Sequence, residues 1–277
     1  MVLKQTQPAE NMKALKITIL LLAIMLFSFF LYRNIPFFSP DSRTNEGRVL
    51  LNTHWMGEDK YVQFSPEHNT HGCWSTTLAQ ISYYHRLQPC GISNYICSKG
   101  YKINENLSNH SFDWNKFRNE ITDSTSQNEI NEISLYCYYI ATIVQKDFGK
   151  GRYITKLPPT VNIEKQLNVE ADLYLNYKSL FHSQRKLKNI VIREIENNRP
   201  LFFYYRDMDV SGSGHSVVLD GYRFDDDTFM VHLNFGWGGR NDDWYDMFNS
   251  IVIEGDTGLR MLMTVQPLRE QDLNPGL

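Results

Sequence analysis

The chain has 277 residues, a formal net charge of −3 and an ordinary globular composition rich in tyrosine and phenylalanine. No basic stripe accompanies that near-neutral balance, which argues against a nucleic-acid partner. The four cysteines, Cys73, Cys90, Cys97 and Cys137, are too few to staple a fold of this size, and no C-x-x-C pair marks a structural zinc site.

Ile17 to Tyr32 is an uninterrupted apolar run of sixteen residues, led by Lys13 and Lys16 and followed by Arg33. Bulky side chains fill the place of a small-residue cleavage site, so residues 1–33 read as a signal-anchor, with a cleaved signal peptide as the alternative. Residues 34–47 form a tether with two prolines. Arg48 to Trp55 is an edge strand or the approach to a cleft. His71 to His85 begins with Gly-Cys and continues as a helix. Pro89 to Gly100 reads as a loop, and Phe112-Asp113-Trp114 opens a short element with Trp114 buried.

Glu129 to Phe148 carries apolar residues at spacings of three and four, which predicts a helix stopped by Gly149 with Cys137 as a core thiol. Tyr174 to Tyr177 is a short strand, and Leu187 to Asn198 is a helix ended by Pro200. The period then changes. Leu201 to Tyr205, His215 to Phe224, Thr228 to Trp237 and Leu259 to Val265 are strand-like. Helices first and antiparallel strands later imply an α+β fold, a helical lobe against a sheet lobe with a cleft between them.

The chemistry gathers at two stretches. Cys73 stands at the start of a helix, where the positive end of the macrodipole favours thiolate over thiol. Gly72 before it leaves room for a substrate backbone. An isolated cysteine usually only packs, and His68, His71, Cys73 and His85 together match no common zinc spacing. The second stretch supplies partners: G-S-G-H-S-V-V-L-D-G-Y runs through an acidic turn into H-L-N-F-G-W-G-G. A hairpin turning at Asp225-Asp226 puts His215 opposite Gly236. Asn234 is then its diagonal neighbour, about 7–8 Å away between Cα atoms; a turn shifted by one residue reverses the parity. In this reading His215 is the base, Asn234 orients it and Trp237 roofs the pair. Gly212 and Gly214 leave room beside the imidazole. His232 and Asp220 compete for the orienting role. With Cys73 free, Cys90–Cys97 is the pair a single disulfide would use.

These residues resemble those of the streptopain-like cysteine peptidases, a bacterial branch of the papain-like fold. The matching pieces are G-C-W-S-T-T-L-A-Q-I-S-Y-Y-H around Cys73, F-D-W at Phe112 to Trp114, Y-C-Y-Y-I-A-T-I-V-Q-K-D-F-G from Tyr136, R-P-L-F-F-Y from Arg199, G-H-S-V-V-L-D-G-Y from Gly214 and H-L-N-F-G-W-G-G from His232. The resemblance covers residues 48–265. It implies a papain-like two-lobed fold, with Cys73 as nucleophile, His215 as base, Asn234 as orienter and Trp237 beside them. It also implies endopeptidase activity on proteins or peptides, with no metal or organic cofactor. Trp74-Ser75 replace the family's Val-Ala after the cysteine, and Phe235 replaces a tryptophan. No glutamine accompanies Trp55 as a side-chain oxyanion donor, which leaves Gln63 as the candidate. The family's large propeptide has no counterpart in the short tether.

The expected organisation is therefore a segment 1–33 with a transmembrane run over 17–32, a tether 34–47, a catalytic domain 48–268 and a tail 269–277. The catalytic domain is expected to be monomeric, and either membrane-anchored outside the cytoplasm or secreted. A narrow-specificity amidase or transpeptidase, and a binding homologue that has lost turnover, are the competing functions.

Overall fold

The computed structural model describes residues 7–34, 47–177, 181–206, 214–249 and 259–268. The chain divides into two units, residues 1–42 and 43–277. In the first, α1 (Gln7–Asn34) is one helix whose apolar side chains, Leu15 to Phe27, are exposed. Among the described residues no helix is long and apolar enough to cross a membrane. The expected span over 17–32, and the membrane as a partner, are thus not supported. Sixteen residues rising ~1.5 Å each cover about 24 Å, short of a hydrocarbon core of ~30 Å. The tether from 35 to 46 and the tail 269–277 lie outside the described residues.

In the second unit α2 (Cys73–Tyr84) is nearly all buried, with Leu78, Ala79 and Ile81 at 0% exposure. Each such Leu or Ile contributes roughly 1.5–3 kcal/mol. The stretch expected as a loop holds a hairpin, β1 (Ile92–Ile96) with β2 (Lys102–Asn106), in which Ser93 and Ile103 alternate inward. Helix α3 (Gln127–Ile143) starts at a capping box between Ser126 and Glu129. It ends five residues earlier than expected. Gln145 takes φ +55°, and Lys146–Asp147 leave the helix as β3 to pair with β4 (Arg152–Tyr153). Helix α4 (Thr160–Leu167), β5 (Val169–Glu170), β6 (Leu173–Tyr177) and α5 (Gln184–Glu196) follow. Trp114 stands in a 3-10 turn and is only half-buried.

The remaining strands are β7 (Leu201–Arg206), β8 (Gly214–Asp225), β9 (Thr228–Asn234), β10 (Asp243–Asp246), β11 (Leu259–Met263) and β12 (Gln266–Pro267). Five of them, with β6, form one antiparallel sheet in the order β10-β9-β8-β7-β11-β6, and β12 pairs with β5. Alternation gives this sheet two faces. Phe202 and Val218 join the core built on α2 and α3, whereas Phe203, Val217 and Leu219 pack with Leu187 and Val191 of α5. Val49, expected in an edge strand, makes only an isolated bridge to Gly221.

Hairpin β8–β9 turns one residue later than expected. Asp225 pairs with Thr228, leaving Asp226-Asp227 as the loop, with Asp226 at φ +52°. A bulge between Leu219 and Gly221 then shifts the register, so Asn234 pairs with Val218. Paired residues share a face, so Asn234 points to the α2 side. By strand parity His215 belongs to the other face, three positions away.

Candidate active site

Two constraints make Gly72 the residue before α2. Its φ is +76°, and an added Cβ would lie 2.7 Å from the Tyr153 hydroxyl. The helix begins with Cys73, which is half-buried and opens on a cleft of about 790 Å³. Burial pushes the thiol up, but the hydrogen bond and charge of His215 pull it down, and Ser216 helps through its hydroxyl and backbone. The net position lies below that of an ordinary thiol. Ser216 is fully buried, and its hydroxyl also meets Thr77 Oγ1 at 3.2 Å.

His215 is the second residue of β8, at the strand end nearest the start of α2, so its ring reaches Cys73 despite its strand parity. Its Nε2 stands 3.0 Å from the Phe235 carbonyl oxygen. A carbonyl only accepts, so Nε2 carries the proton and donates; Nδ1 is left for the sulfur. Trp237 lies over the imidazole at 4.6 Å between ring centroids, with Phe235 at 5.9 Å. Trp237, expected over a His–Asn bond, stands instead beside the bond between His215 and the Phe235 carbonyl.

Asn234 does not orient His215. Its Oδ1 accepts from Gln80 Nε2 and from Gly236 N, both at 3.0 Å, and its Nδ2 donates to the Thr53 carbonyl. Gln80 Oε1 in turn accepts from Thr53 Oγ1 at 2.8 Å and from Trp55 N at 3.3 Å. The register explains the difference, because Asn234 faces α2. Its amide fixes the backbone on either side of Phe235, whose carbonyl holds the ring.

Gln63 is not at the site either. Its side chain accepts from Gln127 Nε2 at 3.1 Å and lines a separate groove with His54 and Met56. Gly214 does line the cleft, and the nearest atom to an added Cβ there is the Tyr204 hydroxyl. His232 and Asp220, the competing orienters, are paired with each other at 2.7 Å. Cys90 and Cys97 are both free thiols, with separate partners: the Lys165 carbonyl and the Lys146 carbonyl. His71 is buried against Ser65 Oγ at 2.7 Å, and burial holds its pKa down at about 3. Among the described residues no three His, Cys, Asp or Glu side chains could hold a metal ion together.

The wall facing Cys73 comes from β3 and β4. Tyr153 stacks on Trp74 at 4.3 Å and 11°. Its hydroxyl accepts from Ser75 N at 3.2 Å and donates to the His71 carbonyl, so it caps the first turn of α2 from outside the helix. Lys146, 1% exposed, donates to the carbonyls of Lys150 and Arg152 and so shapes the loop between the strands. Sequence reasoning missed Gln80, Ser216, Tyr153 and Lys146. One signal was available for Gln80: it lies seven residues, two helical turns, beyond Cys73 on a helix otherwise apolar or small on that side.

The family model for the peptidase C10 family matches residues 55–245. The chain belongs to the peptidase C10 family. It is 24% identical over 211 residues to streptopain of Streptococcus pyogenes serotype M28, and equally to that of serotype M1. These matches cover 68% of this chain and 48% of each relative, so the chain spans about half the length of the curated relatives it matches. The active wild-type interpain A cysteine protease of Prevotella intermedia superposes with a TM-score of 0.67 at 18% identity, over 82% of this chain and 98% of that one. A prointerpain A fragment gives 0.66 at 18% identity, over 94% and 84%. These likenesses bear out the α+β cysteine-protease fold. In this C10 chain the family match contains Cys73, His215, Asn234 and Trp237.

Proposed function

We propose that the chain is a cysteine endopeptidase in which Cys73 attacks, His215 moves the proton and the Phe235 carbonyl orients the ring. The observation that carries this reading is the nearness of His215 to Cys73, close enough for the imidazole to pull the thiol down, at the first residue of α2 and on an open cleft. His215 Nδ1 takes the thiol proton, the sulfur bonds to the peptide carbonyl carbon, and the carbonyl oxygen becomes an oxyanion. No described group accepts the Cys73 backbone N–H, which is free to hold that charge. His215 gives its proton to the departing amine as the C–N bond breaks. It then takes one from water, which hydrolyses the thioester and restores the thiol. Asn234 acts in this scheme as a positioning residue, through the backbone it clamps.

Lys13 and Lys16 ahead of the apolar run support export of the catalytic unit. The test is a digest of casein and of a mixed peptide library by the full chain beside Cys73→Ala, read by mass spectrometry. Cleavage by the first and not the second is expected. Intact peptides with both proteins would overturn the reading, and intact casein with one peptide cut would point to the narrower amidase.

A further inference from the structure

The cleft beside Cys73 carries an unbalanced charge that the reaction scheme does not use. Among the described residues, Arg152, Lys156 and Arg206 line it against one carboxylate, Asp147. That carboxylate is already satisfied. It is fully buried, it accepts from Ser98 N and Ser98 Oγ at 2.7 Å each, and Arg152 Nε lies 3.0 Å away. Arg152 is thereby neutralised, with its Nη2 donating to Ser98 Oγ. Lys156 and Arg206 are exposed, and no described carboxylate pairs with either. Among the described residues, two cations without a carboxylate partner thus face the cleft of a chain whose net charge is −3.

Their placement ties them to the reacting atoms. Arg206 pairs across the ladder with Gly214, the residue before His215. It shares a face of β7 with Tyr204, which makes an edge contact with Trp74 at 6.2 Å. Lys156 follows Tyr153, whose ring stacks on Trp74. Between them the floor is aromatic and the rim cationic. That combination suits a short aliphatic stem ending in a carboxylate.

We propose that this cleft selects peptides by a carboxylate close to the scissile bond, held by Arg206 and Lys156. The proposal rests on the peptidase reading for its substrate and not for its binding chemistry. The carboxylate can come from an Asp or Glu side chain or from the end of a peptide, and the two sources are separable.

The experiment uses the full chain in two forms. Cys73→Ala reports binding by fluorescence anisotropy, and the wild type reports cleavage. Labelled peptides carry Glu, Gln or Lys at each position flanking a common cut site, each with a free and an amidated C-terminus. Glu is expected to bind and be cut about fivefold better than Gln, the size of an exposed ion pair, with Lys worse again. The preference should shrink between low and high salt. Arg206→Glu with Lys156→Glu should reverse the order of Glu and Lys. A gain that follows the free C-terminus instead assigns the cations to a chain end. Equal binding of Glu, Gln and Lys peptides, free or amidated, overturns the proposal even if all are cut. Selective binding by Cys73→Ala without cleavage by the wild type keeps it and sinks the peptidase reading.

Discussion

Gln80 Nε2 donates to Asn234 Oδ1 across 3.0 Å, joining the helix that begins at Cys73 to the second strand of the histidine hairpin. Both side chains are at or near zero exposure, and together they hold Thr53 and Trp55 as well. Helix α2, β9 and the segment entering the domain therefore meet at one polar knot.

Removing Asn234 should act on stability before it acts on the thiol. Asn234→Ala leaves the Gln80 amide and the Gly236 N–H without their acceptor. It should cost about 1–3 kcal/mol per orphaned buried group, read by urea unfolding. The pH at which Cys73 becomes alkylated should move little, because a carbonyl holds the ring. A shift as large as that of His215→Ala would restore Asn234 to the orienting role.

The Cys73 thiol should alkylate with an inflection below the ~8.5 of an ordinary cysteine. Burial raises its pKa, and His215 and Ser216 bring it down. His215→Ala should therefore move the inflection above the ordinary value, and Ser216→Ala should move it part of the way. In the proposed reaction the first variant should also lose roughly 10²–10⁴-fold in kcat/KM. An unchanged iodoacetamide profile in His215→Ala would refute this account.

Tyr153→Phe keeps the stack on Trp74 and removes the hydroxyl that bridges Ser75 N and the His71 carbonyl. The expected loss is about 1–2 kcal/mol. Tyr153→Ala also opens a cavity beside Trp74, and about 3–5 kcal/mol should go with it. Thermal unfolding of the two variants checks the order.

The His232–Asp220 pair gives the fold a pH dependence. Burial lowers the His232 pKa, but the bond and charge of Asp220 raise it further, for a net rise. A histidine whose folded pKa exceeds its unfolded one stabilises fully below the unfolded value of ~6.5. That contribution disappears as pH rises through the folded pKa. Urea midpoints should thus fall from pH 5.5 to pH 8.5, and His232→Gln should flatten the difference. A midpoint that rises with pH in the parent and not in the variant would reverse the sign.

What was legible in the sequence was whatever rested on period or on a chemically unusual neighbour. The strands β7, β8, β9 and β11 announce themselves as short apolar runs separated by Gly and Asp clusters, α3 and α5 by apolar spacing, and Cys73 by its Gly at a helix start. The turn of β8–β9 was not legible, because three consecutive Asp residues allow more than one loop. The bulge beside Asp220 follows a buried carboxylate bonding to Leu51 N, a contact 169 residues away along the chain. The early end of α3 has a nearer origin. Lys146 is needed in the wall of the cleft, where its ammonium gathers two loop carbonyls. Cys90 and Cys97, the pair a single disulfide would use, are free thiols, each sulfur facing a different carbonyl. Partners outside the local period decided the bulge, the helix end and the separation of the two sulfurs.

The atom steadying the imidazole is a main-chain oxygen, and every amino acid owns one. Side-chain scanning at 235 would thus pass over it, reporting only on the phenyl ring. The hold can be broken only indirectly, by an insertion, by a replacement that bends residues 234–236, or by an ester in place of the amide. Drift at 235 is cheap for evolution for the same reason, provided the chain keeps its course.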